Sequence, residues 1–186
     1  AAESLGLPIK AFPQDCGVDA LSFGGTKNGL LMGEAVVIFH RPENTLPDSN
    51  GIPMNIQNLE AAKNLQYLRK QTTQLYSKSR FIAAQFEEYL KDGLYLKLAG
   101  QSNKMARYLA QALEQIPEIT ISKSVDSNAV FAICPTWLSE DLNKKHYFYV
   151  WDENTNEVRW MCSFNTTKED IDEFVADIKA IIASHK

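Results

Sequence analysis

The chain has little of what marks specialised classes of protein. Its 186 residues include only three cysteines, Cys16, Cys134 and Cys162, in no metal-type spacing. An odd number of widely separated cysteines does not fit a disulfide framework, so we expect reduced thiols, a cytoplasmic location and no bound metal. No run reaches the roughly 18 apolar residues of a membrane span, so we expect no membrane association.

The chain also lacks an excess of basic residues. Its formal net charge is −4, which removes the broad positive field that most nucleic-acid-binding proteins need. The content of 45% hydrophobic and 23% charged residues is that of an ordinary globular domain. Intrinsic disorder and low-complexity classes are therefore excluded.

The order of predicted elements indicates an α/β protein. Residues 18–23 and 34–39 are apolar runs typical of buried strands in a parallel or mixed sheet, and prolines with polar residues in 41–53 indicate a loop. Helical periodicity then predicts one long helix over about 55–91, ended by Asp92-Gly93, and a second over 94–115 with Met105, Leu109 and Leu113 on one stripe.

Strand patterns predominate after the second helix. They cover residues 119–122, 129–134, 147–151 and 158–164, and the polar turn at 152–156 predicts an antiparallel hairpin from the last two. A short helix is expected within 135–145. Thr166 and Glu169 have the spacing of a capping box, which would start a final amphipathic helix.

Lys27 is the most informative residue. A strand runs into Gly24 and Gly25 and presents Lys27 at its end. Lysine at the edge of a dry pocket loses its charge readily, and a neutral amine forms Schiff bases. A phosphate-binding Walker loop is excluded because threonine here precedes lysine. An ordinary surface lysine after a strand is an equally good interpretation of this pattern alone.

The segment Ser22-Phe-Gly-Gly-Thr-Lys-Asn-Gly29, followed by Gly33-Glu-Ala-Val-Val37, resembles the lysine segment of the threonine aldolase family of pyridoxal-phosphate (PLP) enzymes. It is most similar to the low-specificity L-threonine and phenylserine aldolase branch. The similarity continues through residues 77–94 and reappears in 158–167, so it covers essentially the whole chain.

The resemblance implies roles for three residues of these segments. It implies that Lys27 carries PLP, that the Thr26 hydroxyl contacts the cofactor phosphate, and that Arg159 binds the substrate carboxylate. A strand-end turn residue remains the alternative for Thr26, and an exposed cross-strand partner remains the alternative for Arg159. Strand alternation predicts that Arg159, Met161 and Ser163 share one face.

Lys70, after Arg69, resembles a basic pair that family members place near the active site, so it is a candidate for substrate binding. Thr72 and Thr73 replace the glycines that often follow that pair, and a solvated helix face is the alternative. His40, His146 and His185 match no catalytic spacing.

The resemblance also implies that part of the enzyme lies outside these residues. In that family, the acidic partner of the cofactor ring and the phosphate-binding amides precede the lysine, and neither Asp15 nor Asp19 matches that acidic partner. We therefore expect the C-terminal half of a fold-type I PLP enzyme, inactive alone. Residues 1–54 would end the large domain, 55–92 would be a connecting helix, and 93–186 would form the small domain.

The implied function is cleavage of threonine-like β-hydroxy-α-amino acids to glycine and an aldehyde. The resemblance also implies a homo-oligomer, a dimer or tetramer, or pairing with the other half. Two alternatives remain open: another fold-type I enzyme, such as a β-eliminating lyase or aminotransferase, and a non-catalytic interaction fragment.

Overall fold

The computed structural model describes residues 1–39 and 54–186, with the backbone alone for residues 54–61. The chain divides into two compact units. Residues 2 and 7–94 form the first, which we call the lysine unit because it contains Lys27, and residues 1, 3–6 and 95–186 form the second, the arginine unit, which contains Arg159. The loop predicted at 41–53 and His40 lie outside the described residues, and the three-part division at 54 and 92 stays a prediction.

The lysine unit contains two strands, β1 (Ala20–Gly24) and β2 (Glu34–Ile38), which pair antiparallel. The prediction of buried strands in a parallel or mixed sheet was wrong for this pair. Residues 25–33 are too short a connection for parallel neighbours, which need a crossover of roughly a dozen residues or more. The burial of both strands alternates instead of being continuous, and Val36 stays exposed.

The single long helix predicted over 55–91 is in fact two helices, α2 (Met54–Gln71) and α3 (Ser79–Leu90). The break is a Schellman-type helix end, in which the amide of Gln74 donates to the carbonyl of Arg69 at 2.9 Å and that of Thr73 donates to Lys70 at 3.2 Å. Thr73 takes the left-handed conformation (φ 60°) that glycine usually supplies there. Without a glycine to mark it, this helix end was missed.

The arginine unit joins helices to a four-stranded antiparallel sheet, and the strand order is β3-β4-β6-β5. Its strands are β3 (Thr120–Ile121), β4 (Ala129–Ile133), β5 (Tyr149–Asp152) and β6 (Glu157–Met161). Its helices are α4 (Leu94–Leu113), α5 (Thr136–Asn143) and α6 (Lys168–Ser184), and the chain opens with α1 (Ala2–Leu5). The predicted β5–β6 hairpin and the short helix α5 are confirmed.

One face of this sheet packs on the helices and forms the core. Val130 of β4 and Val158 of β6 are fully buried there against apolar residues of α4, α5 and α6. The predicted stripe Met105, Leu109 and Leu113 of α4 is buried in this core. The opposite face of the sheet, which we call the outer face, therefore carries the alternate residues of each strand.

The start of α6 corrects a detail of the sequence analysis. The capping box consists of Thr167 and Asp170, not of Thr166 and Glu169: the Thr167 hydroxyl accepts from the Asp170 amide, and the Asp170 carboxylate accepts from the Thr167 amide. Aspartate replaces the usual glutamate at the third helical position, and Glu169 stands one residue before it, so the predicted pair was wrong by one residue. In the described part of the chain, no helix has the length and apolar character needed to cross a membrane.

Candidate active site

Lys27 lies in a 3₁₀ turn, Thr26–Asn28, at the start of the connection between β1 and β2. Gly25 precedes the turn at a position where a β-carbon would meet Cδ2 of Leu30 at 2.5 Å, so only glycine fits without movement of that side chain. Gly29 ends the turn with φ 114°, a conformation that favours glycine. The glycines on both sides of Lys27 therefore shape the turn that presents it.

The Thr26 hydroxyl closes this connection. Its oxygen accepts from the Gly33 amide at 3.0 Å and donates to the Gly33 carbonyl at 3.3 Å. The Gly25 amide donates to the same carbonyl at 3.1 Å. Thr26 thus holds together the two ends of the loop that contains Lys27.

Helix α3 fixes the loop from the side. The amide of Leu31 donates to Oε1 of Gln85 at 2.9 Å, and the Asn28 side chain donates to the Tyr89 hydroxyl. A β-carbon on Gly33 would lie 2.8 Å from Cγ2 of Ile82, so the loop backbone contacts the helix directly. The loop is therefore held at several points rather than being free.

The Lys27 side chain itself is exposed and makes no hydrogen bond or ion pair with any described residue. An amine without a carboxylate partner remains available for a ligand. The structure thus combines an anchored backbone with an uncommitted side chain, which is the arrangement expected of a lysine that binds a cofactor.

Lys70 occupies the exposed last turn of α2, and its side chain is not joined to any described residue by a hydrogen bond or ion pair. None of the contacts that hold the Lys27 loop involves it. This placement agrees with the solvated helix face that the sequence left open as an alternative.

Arg159 lies on the outer face of the arginine unit's sheet, as strand alternation predicts. Val158 and Trp160, its neighbours in β6, are buried on the helix side, while Met161 is exposed on the side of Arg159. The two residues directly opposite Arg159 on the adjacent strands are Phe131 and Tyr149. The guanidinium is thus flanked by aromatic residues across the sheet.

Trp151 provides the stacking surface for this guanidinium. Cζ of Arg159 lies 4.8 Å from the centroid of the Trp151 ring, a cation–π distance. Phe131 contacts Trp151 edge-on, with ring centroids 5.5 Å apart. Nε of Arg159 is buried and has no hydrogen-bond partner among the described residues. A buried donor without a partner is a position at which a ligand atom can accept a hydrogen bond.

Glu157 is the acidic residue closest to Arg159 along β6. It is buried, and it accepts a hydrogen bond from Nζ of Lys123 at 2.6 Å and another from Oγ of Ser122 at 2.5 Å. These two bonds hold the pKa of the Glu157 carboxyl below its usual range, the contribution of Lys123 being the larger. Arg159, by contrast, forms no ion pair within the part of the chain that the structure describes.

The aromatic residues around Arg159 were not among the predicted site residues. Trp151 and Tyr149 stand two apart on the strand of the hairpin that pairs with β6, so the alternation that placed Arg159 could also have placed them on its face. Lys123 carries no such signal because it follows the short strand β3 and reaches Glu157 through tertiary structure.

The two described histidines, His146 and His185, take part in contacts between helices. Nε2 of His146 lies 2.7 Å from Asp177, and the His185 ring stacks on Trp137 and lies 2.9 Å from Asp141. These contacts link α5 and its following turn to α6, so they are consistent with a structural role for both histidines.

Thr26 and Lys27 share one turn of the lysine unit. Lys70 belongs to the same unit, whereas Arg159 belongs to the arginine unit. The structure thus describes two half-sites, one built around a lysine and one around an arginine.

Comparison with known proteins identifies relatives over almost the whole chain. Two curated proteins, the low specificity L-threonine aldolases of Pseudomonas sp. (strain NCIMB 10558) and Pseudomonas aeruginosa, are each 32% identical over 184 residues, or 99% of this chain. The chain spans about half (48%) of the length of these relatives. No protein-family model matches the chain.

A solved structure supports the same relationship. The threonine aldolase of Leishmania major superposes with a TM-score of 0.69 at 28% identity, over 89% of this chain and 44% of that chain. The fold predicted from the sequence, part of an α/β PLP enzyme, is confirmed by this similarity, as is the resemblance carried by the lysine segment.

Proposed function

Because the chain belongs to the threonine aldolase family, we propose that it supplies Lys27 and Arg159 to a PLP-dependent lyase. This lyase cleaves threonine-like β-hydroxy-α-amino acids to glycine and an aldehyde. The observation that carries the proposal is the Lys27 loop, which is anchored at Thr26 and along α3 while the lysine amine stays uncommitted. The relatives, both L-threonine aldolases by name, support the substrate class.

The described residues fit PLP at Lys27. Among the described residues no carboxylate pairs with the exposed amine of Lys27, which follows β1, so Lys27 is the residue that would hold the cofactor covalently. When bound, PLP supplies an electron sink for the charge that develops at the substrate Cα. The anchored loop fixes the backbone from which the Lys27 side chain extends, which reduces the entropy lost when a ligand binds.

Arg159 would bind the substrate carboxylate. Guanidinium is planar, permanently charged and able to make two parallel hydrogen bonds to a carboxylate. Stacking on Trp151 restricts the plane of the guanidinium, and the unpartnered Nε–H is a donor that a carboxylate can satisfy. Binding there would orient the amino acid rather than take part in bond cleavage.

The other two candidates have weaker support. The Thr26 hydroxyl already donates to the Gly33 carbonyl, so it would contact a cofactor phosphate only by exchanging that bond. No hydrogen bond or ion pair joins Lys70 to the described Lys27 loop, so substrate binding by Lys70 rests on the resemblance alone. Both roles stay predictions.

The remaining parts of such an active site would come from polypeptide outside these residues. We propose that the chain corresponds to the C-terminal half of its relatives and is inactive without the other half or a second copy. Extensive exposed apolar surface in the lysine unit, which includes Leu31 and Phe81, supports such an association. A cytoplasmic location stays a prediction.

A hybrid enzyme tests the function. In it, this chain replaces the matching half of the Pseudomonas sp. relative, and aldehyde release from L-threonine is measured with PLP present. We expect activity that Lys27→Arg abolishes and Arg159→Lys reduces mainly through a raised KM, while Lys104→Arg, on an exposed face of α4, serves as the matched control. Keto acid without aldehyde would favour an aminotransferase, and activity that survives Lys27→Arg would reject the proposal.

A further inference from the structure

Arg159 has a potential competitor on its own strand. Glu157 stands two residues earlier in β6, so its side chain leaves the strand on the same face, and the residue opposite it on β4 is Ile133. Two residues along a strand separate Cα atoms by about 6.6 Å. Both side chains are long enough to span that gap, so an ion pair between them is sterically reasonable.

The structure does not contain that ion pair. Glu157 is instead bonded through one carboxylate oxygen to Lys123 and through the other to Ser122. Lys123 is held in turn by the Phe131 ring, with Nζ 4.2 Å from the ring centroid. Both oxygens of the competing carboxylate therefore already have partners on the β3 side of the sheet.

Arg159 turns in the opposite direction across the sheet. Its guanidinium stacks on Trp151 of the edge strand β5, and its buried Nε has no partner among the described residues. Opposite charges two residues apart on one strand are thus kept from pairing by a cation on one side and an aromatic ring on the other.

We infer that Lys123 is a positioning residue for Arg159: by holding the Glu157 carboxylate, it leaves the Arg159 guanidinium available to the carboxylate of an amino-acid ligand. The inference rests on the proposed carboxylate-binding role of Arg159. Without Lys123, the Glu157 carboxylate would have one bonding partner fewer, and Arg159 would be the nearest uncommitted cation on its strand.

Three variants separate this role from a general change of charge. Lys123→Gln should weaken carboxylate binding roughly two- to fivefold, the range that a partly exposed ion pair provides. Adding Glu157→Gln should restore binding, because the competitor is then neutral. Lys123→Arg, which keeps the cation, should behave like the wild type. If Lys123→Gln acted only by removing a positive charge near the ligand, it would weaken carboxylate binding equally with glutamate and with glutamine at position 157.

The measurement uses the full 186-residue chain and the Nε–H signal of Arg159 in ¹⁵N NMR spectra, assigned by its loss in Arg159→Lys. Without ligand, Lys123→Gln should shift this signal as Glu157 approaches, and the double variant should return it toward the wild-type position. Titration with glycine, the smallest amino-acid probe, then gives the apparent affinity of each variant.

The outcomes decide between the inference and the function on which it rests. The inference is overturned if the ligand-free Arg159 signal has the same position in Lys123→Gln as in the double variant. It is also overturned if Lys123→Gln lowers the affinity for glycine equally with glutamate and with glutamine at position 157. If glycine moves the Arg159 signal in no variant, the carboxylate-binding role fails, while the ligand-free spectra still show whether Lys123 keeps Glu157 from Arg159. Amide spectra confirm that each variant is folded.

Discussion

The two units differ in where they keep their apolar side chains. Among the described residues, the arginine unit buries a continuous core between its sheet and its helices, whereas Leu30 and Tyr89 are the large apolar side chains that the lysine unit buries. Leu31, Val36, Phe81 and Leu90 of the lysine unit are exposed. Burial of apolar surface is the main stabilising term in folding, so we expect the arginine unit to be the more stable of the two.

This difference corresponds to a difference in the two half-sites. Arg159 rests on a sheet whose other face is a packed core, so its position is set within its own unit. Lys27 rests on a hairpin whose loop is anchored to α3, but its strands have few buried contacts. We therefore expect both half-sites to be formed in the isolated chain, the lysine half-site being the less stable of the two.

The largest predicted effect is a loss of stability, and it distinguishes a buried leucine of the arginine unit from an exposed leucine of the lysine unit. Leu138 is fully buried, and Leu138→Ala should lower the free energy of unfolding by about 2 to 5 kcal/mol, because it removes apolar contacts and leaves a cavity. Leu31 is 85% exposed, so Leu31→Ala should change the free energy by less than about 0.5 kcal/mol. Urea denaturation measures both, and equal effects would contradict the contrast between the units.

The next largest effect concerns the thiols. Burial raises the pKa of Cys134 and of Cys162 in the arginine unit to about 11, while Cys16 in the lysine unit is exposed. At pH 8 both buried thiols are protonated, so a disulfide reagent should modify them about a hundredfold more slowly than in urea, where they regain an ordinary pKa.

The same shift has a consequence for stability. Because the folded-state pKa of these thiols is raised, they favour the folded state below their unfolded pKa, and the stabilisation is lost as pH rises toward 11. Stability should therefore decline between pH 9 and 11.

Rapid modification of all three thiols in the native chain would contradict the slow reaction predicted for the two buried thiols. It would show that the reagent reaches the core of the arginine unit.

A smaller effect tests the anchoring of the Lys27 loop. Gly33→Ala should destabilise the lysine unit by about 2 to 3 kcal/mol, because φ is 147° and the new β-carbon would press on Ile82. Gly93→Ala is the matched control: its φ is also positive, at 69°, but nothing lies within 4 Å. Hydrogen exchange at β1 and β2 amides should increase with Gly33→Ala and change little with Gly93→Ala.

The smallest effect concerns the start of α6. Asp170→Asn removes the charge that caps the Thr167 amide and faces the helix N-terminus, so it should cost about 0.5 to 1 kcal/mol. Glu169→Gln removes a charge in the same turn without a capping bond, and should cost less. A larger cost for Glu169→Gln in thermal unfolding would favour the capping box that the sequence pattern indicated.

The sequence predicted the arginine unit more closely than the lysine unit, and the physical reason is the same difference in burial. Periodic burial in α4 and α6 and alternation in β6 are strong patterns because each residue meets either core or solvent. In the lysine unit, several apolar side chains lie on surfaces that no other described residue covers. Val36 and Phe81 are residue types typical of a core, yet both are exposed.

Two further features needed three-dimensional information. The end of α2 uses Thr73 where glycine is usual, so no local signal marked it. Lys123 and Glu157 meet across the sheet, and a single sequence carries no record of that pairing. The position of Lys27 after a strand and two glycines, by contrast, could be predicted because those glycines lie close to it in the sequence.

The most direct test of the account is to map where PLP binds. The purified chain is incubated with PLP, reduced with borohydride and analysed by peptide mapping, with Lys27→Arg as the control. Lys63, Lys70 and Lys78 are also exposed, so exposure alone would spread the label over all of them. The account predicts preferential labelling of Lys27 that Lys27→Arg removes without transfer to another lysine. Equal labelling of the exposed lysines would contradict the claim that this loop is built to present Lys27 to the cofactor.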